Sequence, residues 1–399
     1  MTQELAINGG KPVRDKLLPY GHQWIDEEDI KTVVEVLRSD WITQGPKVVE
    51  FEKEFAKHVG ARYAVAVNSG TAALHAACFA ANIEKGDEVI TSPITFVASA
   101  NCVIYQGGIP VFADIKEDTL NINPEEIKKK INQKTKALIP VDFTGLPVDL
   151  EEIQEIARKY NLIIIEDASH ALGATYKGSK IGSISDMTIF SFHPVKHIAT
   201  GEGGMITTNN KEYYERLILF RTHGITKERD KLLNYEGPWY YEMQELGYNY
   251  RLTDFQCALG LSQLKKIDRI IQRRREIVQK YNYGFKDMPE IKIPEKNPFD
   301  SNPAWHVYMI QLNLERIKVG RREIFEALRA ENIGVNVHYI PVHLQPYYQK
   351  RFGYHPGDFP KAENYYSRAI TLPIFPKMTE KDINDVVKAV KKVINYYKC

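Results

Sequence analysis

A repeating pattern between Ala61 and Asn209 constrains the fold more than any other feature of the sequence. A short apolar run is followed by a turn and then by a longer segment with helical periodicity. The apolar runs are YAVAV, DEVIT, IPVFAD, KALIPVDF, NLIIIED, DMTIFSF and GGMITT. Strands that are apolar on both faces and alternate with helices are typical of a mainly parallel sheet covered on both sides. The pattern therefore predicts an α/β domain.

The C-terminal part of the chain is organised differently. Residues 254–281 are predicted to form one long amphipathic helix, and residues 290–305 are rich in Pro and Asn, as domain boundaries often are. Beyond them the pattern predicts a strand in WHVYMIQLNL, a helix in RREIFEALRAENI, a strand in GVNVHYIPV and then helices. A chain of 399 residues is long enough for two cores. We predict a large domain over residues 1–281 and a smaller α+β domain over residues 282–399.

Composition argues against several classes of protein. A formal net charge of +2 gives no electrostatic reason to expect binding to nucleic acid or membranes. The basic clusters 128–130 and 273–275 are expected on solvated helix faces. The four cysteines form no C-x-x-C pair, so neither a disulfide framework nor a metal site is expected. No apolar run approaches membrane-spanning length and the N-terminus lacks an apolar signal core, which predicts a cytoplasmic, soluble protein.

The segment Asn68-Ser69-Gly70-Thr71 follows the first apolar run and opens an alanine-rich helix. The free backbone N–H groups of a helix N-terminus, together with its partial positive charge, form a natural phosphate site. The segment matches neither the P-loop nor the dinucleotide-binding fingerprint. Taken alone, it is also what an ordinary serine N-cap looks like.

Two further apolar runs end in groups that can react. Asp167 ends the most apolar run, and Lys196 follows the next one. Because ligands of open parallel sheets bind at the carboxyl ends of the strands, we expect these residues to lie beside Ser69–Thr71. A phosphate cradle, a carboxylate and a lysine are the groups that pyridoxal phosphate (PLP) needs. Each also has a simpler interpretation, since Asp167 could cap a helix and most lysines lie on the surface.

Two other residues near these strand ends are weaker candidates. Phe96 follows another strand end and could stack on the cofactor ring, or it could belong to the core. His170 lies three residues after Asp167 and is as compatible with packing as with a role in the site.

Several segments, in order along the chain, resemble the DegT/DnrJ/EryC1/StrS aminotransferases. They are NSGTAAL, TSPITFVASAN, EDASHALGA, SFHPVKHIATGEGGMITTN, RTHGI and GYNYRLTDFQCALGLSQL. The resemblance covers nearly the whole chain. It implies the aspartate-aminotransferase fold (fold type I), PLP and its pyridoxamine form as cofactor, and amination of nucleotide-linked keto-sugars.

The resemblance also implies roles for individual residues. Lys196 is similar to the lysine that forms the Schiff base, Asp167 to the partner of the pyridine nitrogen, and His170 to the residue beside the phenolic oxygen. The residues similar to phosphate ligands are Ser69, Gly70, Thr71 and Ser191, and Phe96 resembles the ring that stacks on the cofactor. Asn249 resembles a residue that reaches the phosphate from the neighbouring subunit, which implies a homodimer with shared active sites. The residues that match family segments near the substrate are Thr43, Gln44, Arg251, His338 and Tyr339.

Within the family, the segments SFHPVKHI, EGPWYYEMQELGYNYRLTDFQCALGLSQLKK and VHYIPV are most similar to the pseudaminic-acid branch. This implies transfer of an amino group from glutamate to C4 of a UDP-linked 4-keto-6-deoxy-N-acetylhexosamine. Another nucleotide-sugar C3 or C4 aminotransferase remains an alternative, as do a PLP-dependent sugar dehydratase and a non-enzymatic regulator.

The residues at the lysine position bear on these alternatives. In the dehydratases a histidine replaces the Schiff-base lysine, whereas this chain has Lys196 followed by His197, which favours transamination. His197 is expected to pack or to form a hydrogen bond. An ordinary amino-acid aminotransferase would show a dedicated arginine in the C-terminal domain, and the sequence offers no clear candidate.

Overall fold

A computed structural model describes residues 4–294 and 300–399, so part of the predicted boundary segment lies outside the described residues. The strands in this part of the chain are β1 Tyr63–Val67, β2 Glu88–Thr91, β3 Ile109–Phe112, β4 Thr135–Ile139, β5 Ile163–Asp167, β6 Thr175–Tyr176, β7 Ser179–Lys180, β8 Met187–Ser191, β9 Gly204–Thr208, β10 Ile225–Thr226, β11 Glu242–Met243, β12 Ile291–Lys292, β13 Ser301–Asn302, β14 Tyr308–Leu312 and β15 Ala369–Leu372. The α-helices are α1 Glu27–Leu37, α2 Pro46–Val59, α3 Gly70–Ala80, α4 Ala98–Tyr105, α5 Pro124–Lys130, α6 Leu150–Tyr160, α7 Lys211–Arg221, α8 Asp254–Lys265, α9 Ile267–Phe285, α10 Arg321–Ala330, α11 Pro346–Phe352, α12 Pro360–Arg368 and α13 Glu380–Tyr397. Across the described ranges, no helix has the length and apolar character needed to cross a bilayer.

The seven apolar runs predicted as strands all belong to one sheet, in the order β1-β9-β8-β5-β4-β2-β3. All neighbouring pairs from β8 to β3 are parallel, whereas β9 is antiparallel to both β8 and β1. β9 is antiparallel to β8 because the two strands are joined by a loop without a helix. A parallel pair would need a longer crossover connection. The prediction of an α/β fold with a mainly parallel sheet is confirmed.

Both faces of this sheet are buried, as the apolar runs require. In β1, Ala64 and Ala66 belong to one core cluster, while Val65 and Val67 belong to the cluster on the other face. β1 and β8 point in the same direction, because both are antiparallel to β9. Their carboxyl ends therefore lie at the same edge of the sheet as the carboxyl end of β5.

The predicted helix over residues 254–281 is wrong in one respect, because it consists of two helices that meet at Lys266. The backbone there leaves the helical region, and the Lys266 amine bonds Asp29 on α1 at 2.7 Å. The break lets α8 pack on α1 and α2, while α9 continues towards α13.

The predicted strand GVNVHYIPV is also wrong. Within residues 334–342 the structure has a single bridge, from Asn336 to Thr371, after which the chain turns away and directs Tyr339 towards His170. β14 lies between β12 and β15, and β15 falls in a region that was predicted to be helical. The predicted strand at β14 and the predicted helix at α10 are confirmed.

A second core cluster is built mainly from α9, β14, α10, β15 and α13. Leu5 and Leu18 near the N-terminus also belong to it, so the first residues of the chain pack on this C-terminal unit. The predicted boundary at residue 281 stays a prediction, since α9 continues to Phe285 and contributes to this cluster.

A buried carboxylate attaches the N-terminal segment to this cluster. Glu331 is fully buried and pairs with the Lys392 amine at 2.7 Å. Its two oxygens also accept hydrogen bonds from the N–H groups of Ala6 and Val13, each at 2.9 Å. The pair is therefore satisfied on both sides, as a buried ion pair must be.

Replacing Glu331 with alanine should strongly destabilise the protein, because it leaves the Lys392 ammonium buried with only the Lys11 carbonyl to bond and no counterion in the part of the chain that the structure describes. We expect Glu331→Ala to lower the free energy of unfolding by about 3–5 kcal/mol, measured by urea denaturation. Glu326→Ala on α10 is the matched control: Glu326 pairs with Arg322 in solvent, so its loss should leave stability close to wild type. Equal losses in the two variants would contradict this account.

Candidate active site

The predicted phosphate cradle lies where β1 ends and α3 begins. Gly70 and Thr71 form the first turn of α3, so their N–H groups have no carbonyl one turn earlier to bond. A Cβ at Gly70 would lie 3.0 Å from Cβ of Ser191, so the first residue of α3 lies against the end of β8. The Ser69 hydroxyl accepts from the Ala72 N–H at 3.0 Å, so Ser69 is also the N-cap of α3.

Asp167 is buried at the carboxyl end of β5 and is held by two hydrogen bonds. Its Oδ2 accepts from the Ser99 hydroxyl at 2.6 Å, and its Oδ1 accepts from the Ser169 N–H at 3.2 Å. These donors orient the carboxylate and compensate for its burial. Ser99 was not among the residues predicted for the site.

Lys196 lies in the loop after β8, where its side chain is half-buried. Its Nζ lies 3.4 Å from Nε2 of His306, and it forms no ion pair within the described parts of the chain. Burial lowers the pKa of Lys196 to about 8. The negative charge of Asp167 raises this pKa, whereas the positive charge of Arg274 lowers it. The uncharged fraction of the amine near neutral pH is therefore far larger than that of an ordinary lysine, and a base or nucleophile requires this form.

Three imidazoles surround this amine. The rings of His170 and His306 lie 4.3 Å apart, and Nε2 of His170 lies 3.2 Å from the Tyr339 hydroxyl. Burial lowers the pKa values of His170 and His306 well below the usual range, so both rings are neutral. His338 contacts the Thr371 hydroxyl through Nδ1 at 2.9 Å, and burial lowers its pKa to about 4.

Other predicted residues lie around this centre. Phe96 is 58% exposed, and its ring centroid lies 6.2 Å from that of Tyr339, so it is an accessible aromatic at the edge of the site. Thr43 and Gln44 are exposed, and Thr43 bridges Thr253 at the start of α8.

Asn249 and Arg251 lie in the segment after β11. Asn249 is exposed, and its carbonyl accepts from the Asn68 side chain at 3.3 Å. Arg251 is half-buried. As far as the structure describes the chain, neither side chain forms a hydrogen bond or ion pair with the cluster around Lys196.

The sequence analysis missed two residues of the centre, His306 and Arg274. His306 lies in an irregular segment before β14, and nothing in its local sequence indicates a site. Arg274 was expected on a solvated face, which is wrong, because its side chain is only 1% exposed. The signal for it was helical periodicity, since Arg274 lies on the same face of α9 as the buried residues Ile270 and Tyr281. His197 is buried and contacts the Ala304 carbonyl at 3.0 Å, so its predicted packing role is confirmed.

Comparison with known proteins identifies the family. The model of the DegT/DnrJ/EryC1/StrS aminotransferase family matches residues 23–391. The chain belongs to this family. It is therefore a PLP-dependent sugar aminotransferase, as the sequence resemblance implied, and it needs a nucleotide sugar and an amino donor.

Individual relatives cover nearly the full chain. The spore coat polysaccharide biosynthesis protein SpsC of Bacillus subtilis is 46% identical over 382 residues, which are 96% of this chain and 98% of that protein. Helicobacter pylori PseC, an aminotransferase involved in the biosynthesis of pseudoaminic acid, is 35% identical with a TM-score of 0.89, covering 96% of this chain and 100% of PseC. A sugar aminotransferase of Streptococcus pneumoniae, Spr1654 in its PMP-form, is 32% identical with a TM-score of 0.88, covering 95% and 99%.

The residues at the sheet edge fit the cofactor. The first turn of α3 offers N–H groups to a phosphate, Asp167 offers an oriented carboxylate, and Lys196 offers an amine that is partly uncharged. Nδ1 of His170 is buried without a partner among the described residues, so it keeps a hydrogen-bonding site to spare.

Ser99→Ala should weaken cofactor binding, because it removes the stronger of the two donors that hold Asp167. A hydrogen bond to a charged group contributes about 1.5–3 kcal/mol, so we expect the Kd for PLP to rise by at least about tenfold. Fluorescence titration of the apo-enzyme with PLP measures this. Ser262→Ala removes another buried hydroxyl, one that lacks a partner in the described structure, and should leave the Kd unchanged. A wild-type Kd in Ser99→Ala would show that Asp167 does not depend on Ser99.

Proposed function

We propose that this enzyme transfers an amino group from glutamate to C4 of a UDP-linked 4-keto-6-deoxy-N-acetylhexosamine, a step of pseudaminic acid biosynthesis. The observation that carries the proposal is the full-length likeness to H. pylori PseC, at 35% identity and a TM-score of 0.89. The segments SFHPVKHI and VHYIPV, which indicated this branch of the family, contribute Lys196, His338 and Tyr339 to the centre. The proposal includes a cytoplasmic location.

The residues at the sheet edge support a division of roles. Lys196 would hold the aldehyde of the cofactor, Asp167 would keep its pyridine nitrogen protonated, and the cradle formed by Ser69, Gly70, Thr71 and Ser191 would hold its phosphate. Bound PLP supplies an electron sink for the carbon that loses its proton. A lysine whose pKa is lowered to about 8 is also a suitable base for moving this proton, since part of its amine is uncharged near neutral pH. His170 and Tyr339 contact each other at 3.2 Å beside this centre.

We further propose a homodimer in which Asn249 of one subunit reaches the phosphate in the other. Asn249 is exposed, and the preceding segment carries several large exposed apolar residues, of which Leu233 is 94% exposed. Such residues are typical of a surface that another chain covers. Arg251, Thr43 and Gln44 are proposed to contact the substrate, together with His338 and Tyr339.

One alternative has an observation in its favour. The 46% identity with SpsC supports a different nucleotide-linked keto-sugar, aminated at C3 or C4, that is used in a surface polysaccharide. The fold and the cofactor chemistry would be the same, and only the recognition of the sugar would differ.

The substrate proposal is tested by incubating the enzyme with glutamate and the UDP-linked 4-keto-6-deoxy-N-acetylhexosamine. The product should have the mass of the amino sugar, with nitrogen on C4 by NMR and one 2-oxoglutarate formed per amine. The control replaces UDP by dTDP in the acceptor. Faster amination of the dTDP-linked sugar, or no amination of the UDP-linked 4-keto-sugar, would favour the SpsC-like alternative.

Lys196→Ala should abolish turnover, because the variant lacks both the group that holds the cofactor and the base. We expect kcat to fall by about 10³-fold or more, while the far-ultraviolet circular dichroism spectrum stays that of wild type. Lys180→Ala removes an exposed lysine and should retain full activity. Substantial turnover by Lys196→Ala would remove this lysine from the mechanism.

Asn249→Asp should weaken retention of the cofactor by placing a second anion beside the phosphate. We expect about a tenfold faster loss of PLP on dialysis, which corresponds to a repulsion of about 1.4 kcal/mol. Asn395→Asp adds the same charge on the exposed face of α13 and should leave retention unchanged. Equal retention in both variants would contradict the shared site.

A further inference from the structure

Arg274 is a buried cation without an anionic partner. Its Nη1 donates to three carbonyl groups, those of Trp305 at 3.0 Å, His306 at 3.1 Å and Ile374 at 3.3 Å. Its Nε has no partner, and no carboxylate pairs with it in the described ranges. Burying a charge without a counterion is costly, so a cation kept in such a place is a candidate for a role in function.

The segment that Arg274 contacts is fixed from several sides. The N–H groups of Ala304 and His306 donate to the carbonyls of Gly145 and Thr144, at 2.9 Å and 2.8 Å. The Ala304 carbonyl lies 3.0 Å from Nε2 of His197, the neighbour of Lys196 in the chain. The position of the His306 ring is therefore set by contacts from α9, from the turn after β4 and from the Lys196 loop.

The fixed ring contacts the Lys196 amine. Nε2 of His306 lies 3.4 Å from Nζ of Lys196, and burial keeps the imidazole neutral by lowering its pKa. A neutral imidazole with its proton on Nδ1 accepts a hydrogen bond at Nε2. His306 is thus the side chain that the free lysine amine contacts in this structure.

We propose that Arg274 and His306 are positioning residues for Lys196. Arg274 fixes the main chain of His306 and places a positive charge behind it, and the His306 ring holds the amine in place whenever it is not bonded to the cofactor. The charge of Arg274 thereby disfavours protonation of Lys196, and the His306 ring keeps the amine correctly placed. This inference rests on the proposed role of Lys196.

The charged and titratable groups around Lys196 determine how its protonation responds to a change at Arg274. They are Asp167, His170, His197, Arg274, His306 and His338. The histidines are neutral, because burial lowers their pKa values. Asp167 favours the charged amine, whereas Arg274 disfavours it. Removing the charge of Arg274 should therefore raise the pKa of Lys196.

The test is the pH dependence with which the apo-enzyme takes up PLP, followed by the growth of the visible absorption band. The uncharged amine adds to the aldehyde and releases water, so the rate should rise through the pKa of Lys196 and level off above it. We expect the wild-type midpoint near pH 8. In Arg274→Met the midpoint should move up by about one pH unit.

Two variants separate the charge from its surroundings. Arg273→Met makes the same change one residue earlier on α9, where the side chain reaches solvent, and its midpoint should equal that of wild type. Arg274→Lys keeps a charge in place, and its midpoint should also stay near wild type. A midpoint in Arg274→Met equal to that in Arg273→Met would overturn the role of the charge. Should Arg274→Met fail to fold, an upward shift in Arg274→Lys would overturn it equally.

The role of the ring is tested on His306 itself. His306→Phe keeps the ring volume but removes the acceptor, so the rate at the high-pH plateau should fall by about tenfold. His306→Gln places an amide oxygen near the position of Nε2 and should restore the rate to within about threefold of wild type. A plateau unchanged in His306→Phe would overturn this part of the proposal.

Borohydride reduction and peptide mapping distinguish failure of this inference from failure of the proposed function. PLP attached to Lys196, with no effect of the Arg274 and His306 variants, would contradict only the positioning roles. PLP attached to a different lysine would contradict the proposed function itself.

Discussion

The site depends on the parallel alignment of β1, β5 and β8, whose carboxyl ends must lie at one edge of the sheet. Three chemically different groups reach that edge from distant parts of the sequence: the first turn of α3, Asp167 and Lys196. Their alignment is maintained by burial of both faces of the sheet, since a shift of one strand would expose apolar residues on each face. Packing of the sheet thus determines where the strand ends lie, and the site needs only suitable side chains at those ends.

Burial also determines the protonation states of the site. It lowers the pKa of Lys196 to about 8 and keeps the histidines around it neutral, while Asp167 stays in hydrogen-bond contact with Ser99 and Ser169. Arg274 adds a second cation whose bonds go to main-chain carbonyls. Holding two cations in such surroundings lowers stability, as is common where function requires an unusual protonation state.

The sequence predicted the sheet and the main site residues because both leave local signals. Apolar runs alternating with helices indicated all seven strands, and the positions of Asp167 and Lys196 after two of those runs indicated the site. The errors arose where long-range contacts override the local pattern. Residues 334–342 form only one bridge and direct Tyr339 towards His170, while β15, in a segment predicted as helical, pairs with β14. His306 could not be predicted, because contacts with residues distant in the sequence place it, whereas the periodicity of α9 already indicated that Arg274 is buried.

The most direct test of the account is an absorption spectrum of the PLP-loaded enzyme, recorded before and after addition of glutamate. If Lys196 carries the cofactor and glutamate is the donor, the visible band should disappear and a band near the ultraviolet should replace it, while 2-oxoglutarate forms in equal amount. The original band should return when the keto-sugar is added. A cofactor band that glutamate leaves unchanged would contradict the proposed donor reaction at this site.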